Sequence, residues 1–537
     1  MKNSINHYTD PDHNSRDQFR INIFFAVLSG FLIFLSFPKY GCGLLAWIAF
    51  IPLFFALRNA VTLFQGLLFG FISGIVGYIG IIYWIAYVIV NYGYLPFYVG
   101  LALMLLFAAY LSLYVLFFGG CIVYFRDRLP LWLIAPPLWV CLEYGKSFIF
   151  TGFPWENLGY SQYLNTYLIQ FADVFGVPGL SFLIILVNAA VFEAVSRKSK
   201  KEYAVAGLVL LLMAGIYVYG FFRLEQVQAL AGKSPAMPVS LIQGNIDQSV
   251  KWDKHYKKET LNTYERLSVN KANSPGRLIV WPETAVPFKF QNVNTLRDQI
   301  INLTLKTKSW LLFGSISSIP RMDGQDIFNS AYLLSPFGDV RGKYDKVHLV
   351  PYGEYVPLRD LLPFIEGFTA GIGDFSQGAG FHPLFMDDKK IGVLICYEGI
   401  LPSAARAYKN QSAGLLVNIT NDAWFGSTSA PFQHFSMSIF RAVETRLYLV
   451  RAANTGISGI IDPTGKVTAR TNIFQEAALN GAVKFVKIPT LYDQYGDIWV
   501  IICFVITVLC FILSLIWRRK NDHGKHTGNN HRPEKKN

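Results

Sequence analysis

The sequence predicts a polytopic α-helical membrane bundle of about eight spanning helices, joined to a single α/β domain. Hydrophobic residues make up 52% of the chain and charged residues only 15%, whereas soluble proteins carry about a quarter charged residues. No charged side chain occurs between Arg58 and Arg126, and one charge at the middle of a bilayer costs about 2.5–3.5 kcal/mol. A polar, β-rich stretch then separates the last two apolar runs.

Apolar runs of about 17–25 residues predict helices that span a bilayer. Such runs lie near 20–37, 42–57, 63–89, 95–124, 130–148, 168–195 and 203–222, with an eighth near 498–517. The first run has no small-residue cleavage site before the next run, which favours a spanning helix over a secretory signal. The chain therefore divides into a tail (1–19), a membrane domain (20–222), an outward domain (223–490), the eighth helix (498–517) and a basic tail (518–537).

Basic residues cluster in alternate connections between these runs, and such clusters mark cytoplasmic loops. The clustered residues are Arg16, Arg20, Arg58, Arg126, Arg128, Arg197, Lys198, Lys200, Lys201, Arg518, Arg519 and Lys520. With eight helices, all of them fall on the cytoplasmic side and the outward domain faces the opposite side, which is the periplasm if the membrane is a bacterial inner membrane. The net charge of +13 thus fits anionic lipid headgroups and topology, not nucleic acid.

From about Pro238 to Pro489, short β-rich runs alternate with polar helical stretches, which predicts one α/β domain. The predicted strands are 239–243, 278–281, 310–315, 330–334, 391–396, 414–419, 448–453 and 482–488, and the predicted helices are 254–270, 294–306, 403–409 and 432–445. Turn-favouring residues at 335–339 and 462–465 predict two hairpins. The outward domain contains one cysteine, Cys396, which excludes an internal disulfide framework there.

Three polar residues stand beside predicted strands in contexts that suggest acyl-transfer chemistry. Cys396 ends a strand, Glu283 follows another in Trp281-Pro-Glu-Thr284, and Lys346 lies in the segment 344–357. Each alone has an ordinary structural interpretation, as a core thiol, a turn residue or a surface charge. Together they supply the nucleophile, the base and the oxyanion donor that acyl transfer requires.

The amino-acid sequences of several segments identify a protein family more specifically than these three residues do. The segments are Gln243-Gly-Asn-Ile-Asp-Gln-Ser-Val-Lys-Trp252, Trp281-Pro-Glu-Thr284, 344–357, Cys396-Tyr-Glu398 and Asn421-Asp-Ala-Trp-Phe-Gly426. In combination they resemble the nitrilase superfamily, whose domains are four-layer α-β-β-α sandwiches with a Glu-Lys-Cys triad. Because spanning helices are predicted on both sides of this domain, the chain resembles the membrane-embedded branch of that superfamily, the apolipoprotein N-acyltransferases.

The resemblance implies Glu283 as general base, Lys346 as oxyanion stabiliser and Cys396 as nucleophile. It further implies Glu354 as a supporting carboxylate. Three more positions match residues that shape substrate binding, namely Trp252, Tyr397 and Glu398. A Cys396–His348 pair is a rival arrangement, but the neighbouring lysine fits the family pattern and the histidine is expected to fix a loop. Asp422 and Trp424 are expected to be structural.

The implied reaction moves an acyl chain from a membrane phospholipid to Cys396, and then to the α-amine of a diacylglyceryl-cysteine at an apolipoprotein N-terminus. No metal or organic cofactor is implied. The aromatic loops 91–94 and 153–155 are candidate interfacial anchors. Two alternatives remain open at this point: a membrane-tethered nitrilase-like amidase that releases its acyl group to water, and a non-enzymatic membrane scaffold or transporter.

Overall fold

A computed structural model describes residues 11–248, 251, 255–269, 276–322, 324–355 and 374–527. The N-terminal half is helical, and a mixed α/β domain follows before a final long helix. The helices outside the α/β domain are α1 (Pro11–Leu35), α2 (Ile51–Arg58), α3 (Leu63–Ile82), α4 (Trp84–Tyr92), α5 (Phe97–Phe125), α6 (Leu131–Lys146), α7 (Ala172–Arg197) and α8 (Lys200–Gly232), with α13 (Leu491–Tyr495) and α14 (Ile498–Thr527) at the C-terminal end.

Six helices in the described residues are long and apolar enough to cross a bilayer. They include Arg16–Leu35, Leu63–Ile82, Phe97–Phe125, Leu168–Arg197, Lys200–Gly232 and Ile498–Trp517. The other two predicted spans are shorter: the run near 42–57 is a 3-10 turn followed by α2, and the run near 130–148 is α6. The run near 63–89 is divided at Tyr83 into α3 and α4, and α8 continues past the predicted end at 222.

Helices α3 and α5 approach closely because small residues line their contact. A Cβ atom added at Gly70 would collide with the carbonyl oxygen of Val115, and one added at Gly119 would collide with that of Gly66. Without a hydrophobic driving force between helices in lipid, such close backbone packing is a main source of helix association. The apolar runs therefore specify the spans, and the glycines specify which helices meet.

The α/β domain contains thirteen strands in its described residues, arranged in two sheets. The strands are β1 (Ala236–Gln243), β2 (Leu278–Val280), β3 (Val286–Lys289), β4 (Trp310–Arg321), β5 (Gly324–Leu334), β6 (Val340–Asp345), β7 (Leu384–Met386), β8 (Lys389–Ile395), β9 (Leu415–Thr420), β10 (Tyr448–Ala453), β11 (Gly459–Ile461), β12 (Val467–Arg470) and β13 (Ala477–Lys484). The first sheet has the order β13-β1-β2-β4-β5-β6, with β3 on β4, and the second has β12-β11-β10-β9-β8-β7.

Helices cover the outer faces of both sheets, which gives four layers. Helices α9 (Lys257–Val269) and α10 (Thr295–Thr307) pack on the first sheet through Leu261, Leu303 and Ile279. Helices α11 (Pro402–Asn410) and α12 (Ala430–Thr445) pack on the second sheet. Successive side chains of a strand point to opposite faces, so Leu278 and Val280 belong instead to the core shared with the second sheet.

The predicted strands and helices of this domain lie within a few residues of the observed ones. Both predicted hairpins are present: residues 335–339 connect the antiparallel pair β5 and β6, and 462–465 connect β11 and β12. Five strands, β3, β6, β7, β11 and β12, were not among the predicted strands, although the two predicted hairpins lie beside β6, β11 and β12. The last predicted strand, 482–488, overlaps β13 only at its end, since β13 begins at Ala477 and ends at Lys484.

The membrane helices and the α/β domain are joined by buried side-chain hydrogen bonds. Gln433 on α12 accepts hydrogen bonds from the indole nitrogens of Trp84 (3.1 Å) and Trp155 (2.8 Å). Its amide nitrogen donates to the carbonyl oxygens of Pro38 and Ile81, at 3.1 Å each. Every polar atom of this amide side chain is thus paired with the membrane half, which fixes the position of α12 and of the loops beside it.

Candidate active site

The three predicted catalytic residues converge at strand ends between the two sheets. Glu283 follows β2, Lys346 directly follows β6, and Cys396 directly follows β8 in the other sheet. The ammonium nitrogen of Lys346 lies 3.9 Å from Glu283 Oε1. The charges of both residues act on the Cys396 thiol. Residues far apart in the sequence therefore form one cluster.

Lys346 is the charged centre of this cluster. Its side chain is 1% exposed, and its Nζ lies 2.8 Å from Glu354 Oε2. Burial opposes the charge, but Glu354, Cys396 and Glu283 outweigh it and raise the pKa of Lys346 well above the ordinary value. Lys346 is therefore a permanent cation beside the thiol, as an oxyanion donor must be.

The carboxylate of Glu283 is held from two directions. The Asn329 side chain donates from Nδ2 to Glu283 Oε1 (2.8 Å) and to Glu354 Oε1 (2.9 Å), and the backbone N–H of Asn421 donates to Glu283 Oε2 (2.9 Å). Burial raises the pKa of Glu283, with Lys346 opposing the rise and Glu354 adding to it. A general base works best when its pKa lies near the working pH, and this environment shifts the carboxylate in that direction.

Cys396 occupies a sharp turn directly after β8. Its φ of 53° is left-handed, a conformation that non-glycine residues adopt mainly at functional or tightly held positions. Burial, followed by the charge of Glu283, raises the pKa of the Cys396 thiol to about 12, although Lys346 acts to lower it. The resting sulfur is thus protonated, and it becomes a nucleophile by passing its proton to a neighbouring base as it attacks.

A second polar network supports the Cys396 backbone. The carbonyl oxygen of Cys396 accepts a hydrogen bond from Asn418 Nδ2 and lies 3.2 Å from His434 Nε2. His434 Nδ1 lies 3.0 Å from Asp422 Oδ1, and Arg451 donates from Nη2 to Asp422 Oδ2 at 2.8 Å. Asp422 is fully buried in this network, in keeping with the structural role expected of it.

Glu398 is an anchor for the backbone around the site. It is fully buried, and its Oε1 accepts hydrogen bonds from the Tyr344 hydroxyl (2.9 Å) and from the backbone N–H groups of Val347 (2.8 Å) and His348 (3.0 Å). Its Oε2 accepts from the N–H of Ile395 (2.8 Å). Glu398 thus ties the turn after β6 to the turn after β8, and so Lys346 to Cys396, from within the core.

Tyr397 lies between two other rings. The ring of His348 stacks on it at 5.6 Å between centroids, and the indole of Trp155 stacks at 6.3 Å. Trp155 comes from the loop between α6 and α7, and it is only 2% exposed. This loop was expected to provide an interfacial anchor, but Trp155 is instead packed against the residue next to the nucleophile.

The structure also places beside Glu283 two residues to which the sequence assigned no role. Asn329 lies inside β5, where a buried asparagine in an apolar strand was the available signal. Lys251 lies within a segment that carried the family resemblance, and its Nζ donates to the Glu283 carbonyl oxygen at 3.2 Å.

Trp252, a predicted substrate-binding residue, lies outside the described residues. Trp424 is 40% exposed, and its ring meets Tyr92 of α4 at 4.8 Å.

Comparison with known proteins covers both halves of the chain. The family model "Apolipoprotein N-acyltransferase N-terminal domain" matches residues 29–190, and "Carbon-nitrogen hydrolase" matches 238–489. An apolipoprotein N-acyltransferase from Geobacter metallireducens is 46% identical over 93% of this chain and 96% of its own length. The chain belongs to the apolipoprotein N-acyltransferase family.

More distant relatives with the same name also match over most of their length. The protein from Methylococcus capsulatus is 32% identical over 95% of this chain and 98% of its own. The protein from Rickettsia prowazekii is 31% identical over 84% and 90%. A solved member of branch 10 of the nitrilase superfamily from Saccharomyces cerevisiae aligns with 46% of this chain and 90% of its own, at 19% identity and a TM-score of 0.37.

These findings confirm the predicted resemblance and the predicted class, several long apolar helices joined to a nitrilase-like α/β domain. They also confirm that the chain is a membrane protein and an enzyme of an acyltransferase family. The count of eight spanning helices, the domain boundaries and the roles of the individual site residues stay predictions.

Proposed function

We propose that this protein transfers a fatty acyl chain from a membrane phospholipid, through a thioester on Cys396, to the α-amine of the N-terminal diacylglyceryl-cysteine of apolipoproteins. The observation that carries the proposal is the buried cluster of Glu283, Lys346 and Glu354 beside a lone thiol. This cluster supplies the base, the cation and the nucleophile of acyl transfer. The names of the relatives supply the acceptor.

In the first half-reaction, Glu283 takes the thiol proton while the sulfur of Cys396 attacks the ester carbonyl carbon of the phospholipid. Lys346 stabilises the negative oxygen of the tetrahedral intermediate. The carbon–oxygen ester bond then breaks, and the leaving glycerol oxygen receives the proton from Glu283. The products are a lysophospholipid and an acyl-thioester on Cys396, so no co-reactant is needed.

In the second half-reaction, the neutral α-amine of the acceptor attacks the thioester carbonyl. Glu283 accepts a proton from the amine nitrogen, and the carbon–sulfur bond breaks to give an amide. The thiolate then regains the proton from Glu283, which restores the resting enzyme. Because the acyl group is held covalently between two separate substrates, the kinetics should be of the ping-pong type.

The position of the cluster against the membrane half supports a lipid donor. Tyr397 contacts Trp155 of the membrane half, and the hydroxyl of Tyr92 on α4 donates to the Ala423 carbonyl oxygen (2.9 Å) in the turn after β9. Nearby, Trp424 and Tyr94 are exposed. A thiol held next to membrane helices can receive an acyl chain without moving it through water, and apolar surroundings protect the thioester from hydrolysis.

Contacts at the opposite ends of the helices support a periplasmic α/β domain in the inner membrane. The Arg126 guanidinium at the end of α5 donates to carbonyl oxygens of Leu57 and Arg58 at the end of α2, at 3.0 Å each. Glu193 near the end of α7 accepts from the Leu131 N–H at the start of α6. Arg58 and Arg126, and likewise Arg128 and Arg197, thus stand at or beside helix ends that contact each other, which supports a shared, cytoplasmic face for these residues.

The test is to incubate the purified protein in detergent with a phospholipid that carries an isotope-labelled acyl chain. Mass spectrometry should then find the labelled acyl group on the peptide that contains Cys396. Subsequent addition of a diacylated lipopeptide with a free α-amine should remove the label from the protein and produce the N-acylated peptide. Cys396→Ala should give neither product, whereas the matched control Cys141→Ala, which changes a thiol in α6, should give both.

The outcomes separate the alternatives. Loss of the label to water in the presence of the lipopeptide, with release of free fatty acid, would assign the protein to the amidase-like hydrolases. A Cys396→Ala protein that transfers the acyl chain normally would remove the thioester from the mechanism. Absence of any acylated enzyme under conditions where the fold is intact would favour a scaffold or transporter.

A further inference from the structure

A second buried ammonium group lies beside the catalytic cluster and has no part in the steps above. Lys251 is 1% exposed. Its Nζ donates to the carbonyl oxygen of Glu283 at 3.2 Å and to the hydroxyl of Thr284 at 2.6 Å. Both partners are uncharged, although burial of a cation is costly unless it is paired or used. The position of this side chain therefore requires an explanation.

The two partners of Lys251 belong to the turn that presents the general base. Thr284 has a φ of 46°, and a β-branched residue in the left-handed region is strained. On the other side of the turn, Gly314 of β4 donates its N–H to the Pro282 carbonyl oxygen (3.1 Å). A Cβ at Gly314 would lie 2.7 Å from the Cα of Glu283. The turn is thus held between β4 and Lys251.

Several charged groups face the same small volume, and Lys251 is one of the cations among them. Glu283 experiences the charges of Lys346, Glu354 and Lys251. The thiol of Cys396 experiences Glu283, Lys346 and Asp422, and Asp422 is itself paired with Arg451 and lies beside His434. Lys251 in turn interacts with Glu283 and Cys396. Removal of Lys251 would therefore leave the carboxylate and the thiolate with less positive charge nearby.

We propose that Lys251 is a positioning residue for the general base, which fixes the Glu283–Thr284 turn and keeps a second positive charge beside the carboxylate and the sulfur. This inference rests on the proposed function of the site, because it takes Glu283 as the base. Burial lowers the pKa of Lys251 to about 8, with Glu283 and Cys396 opposing the shift. The ammonium is accordingly present at neutral pH and is lost as the pH rises above this value.

The test measures alkylation of Cys396 by iodoacetamide, which needs neither lipid nor lipopeptide. Peptide mass spectrometry follows this one cysteine in the full-length protein across about pH 6 to pH 10. In Lys251→Met, loss of the nearby cation raises the pKa of both Glu283 and the thiol. We therefore expect alkylation at neutral pH to slow by about tenfold or more, and the profile to shift to higher pH. Labelled-phospholipid transfer should slow in parallel.

Lys409→Met is the matched control. Lys409 is also largely buried, with 12% of its side chain exposed and its Nζ donating to the Ile488 carbonyl oxygen at 2.8 Å. Burial likewise lowers its pKa to about 8, but it lies outside the catalytic cluster. We expect its alkylation profile to match the wild type. If both lysine variants shift the profile equally, or if neither does, the positioning role of Lys251 is excluded.

A second variant keeps the test informative if Lys251→Met does not fold. Thr284→Val removes the hydroxyl that accepts from Lys251 but keeps the shape of the side chain and both charges. We expect a smaller slowing of about three- to tenfold with little change in the pH profile. An unchanged rate in Thr284→Val would overturn the claim that Lys251 holds the turn. Failure of acyl transfer together with a normal Lys251-dependent alkylation profile would instead count against the proposed function alone.

Discussion

Two buried polar clusters flank Cys396, and they differ in how their carboxylates are paired. On one side, the carboxylates of Glu283 and Glu354 share the ammonium of Lys346. On the other side, the single carboxylate of Asp422 receives the Arg451 guanidinium and lies beside His434. Both clusters are almost inaccessible to solvent. Burial alone therefore does not decide which cluster is reactive.

The pairing determines how each carboxylate behaves. Burial raises the pKa of Glu283, and the neighbouring Glu354 adds to this rise, so that a proton can return to this residue. Burial also acts to raise the pKa of Asp422, but Arg451 and His434 overcome it and hold the pKa well below its ordinary value. A carboxylate whose pKa is raised can accept a proton and return it, whereas a carboxylate held ionised by a guanidinium is a rigid support. This difference can be tested by substitutions in each cluster.

The largest effect is expected for the thiol that both clusters surround. Cys396→Ala should abolish acyl-enzyme formation completely, because no other group in the cluster can form a thioester. Intact-protein mass spectrometry after exposure to phospholipid provides the measurement. The fold should be retained, since a small apolar side chain replaces a partly buried thiol. Residual acylation at Cys396→Ala would mean that the acyl group is carried elsewhere.

A large effect is also expected for the cation of the reactive cluster. Lys346→Met should slow thioester formation by about 10²–10³-fold, because an oxyanion donor is lost and because two carboxylates then face each other without a shared cation. The rate is measured by mass spectrometry of the labelled acyl-enzyme in samples quenched at timed intervals. Lys343→Met is the matched control, since Lys343 on β6 pairs with Asp345 at 2.9 Å and is three residues away. Equal losses in both variants would show that the effect is not specific to the cluster.

The cluster proposed to be reactive could be predicted from the sequence to a greater degree than the residues that support it. Cys396, Glu283 and Lys346 each stand beside a recognisable strand, and the sequences around them match those of the nitrilase superfamily. Asn329, which bridges two carboxylates, gives no comparable signal, because an asparagine in a strand has many possible partners. The partners of Asp422 are likewise 12 and 29 positions away along the chain. Side-chain pairing across elements depends on the register and on the packing of the sheets, which the local pattern does not encode.

The membrane half shows a similar limit. Apolar runs gave the positions of the long helices, since hydropathy is a property of each segment by itself. The division of one run at Tyr83 and the packing of Trp155 beside Tyr397 depend on contacts with the α/β domain. Trp155 in an aromatic loop was expected near the lipid interface, but a hydrogen bond to Gln433 keeps its indole buried. Contacts between distant segments therefore override the preference of the loop.

An intermediate effect is expected when the supporting cluster is broken. Asp422→Asn should destabilise the protein by about 3–5 kcal/mol, because it leaves the fully buried Arg451 without its counter-ion. Because the pKa of Asp422 is lowered on folding, its contribution to stability is present above the unfolded value of about 3.9 and is lost as the pH falls below it. Denaturant unfolding of both proteins should therefore show a large difference at neutral pH that shrinks on acidification.

The same variant also distinguishes support from chemistry. Folded Asp422→Asn should keep a larger share of its acyl-transfer rate than Lys346→Met does, since Asp422 acts through the Cys396 carbonyl oxygen and His434. The rate per folded molecule is the relevant measurement, with the folded fraction determined in parallel. A folded Asp422→Asn protein as inactive as Lys346→Met would place Asp422 in the chemistry and would erase the distinction between the clusters.

The smallest effect is expected for a charged pair of similar geometry at the surface. Arg266 lies 2.6 Å from Glu476, but the two side chains are 50% and 45% exposed. Water and salt screen such a pair, and measured values for exposed pairs are about 0–1 kcal/mol. Arg266→Ala should thus change the unfolding free energy by less than about 1 kcal/mol and leave thioester formation unchanged. A destabilisation near that of Asp422→Asn would show that the length of an ion pair, and not its burial, determines its contribution to stability in this protein.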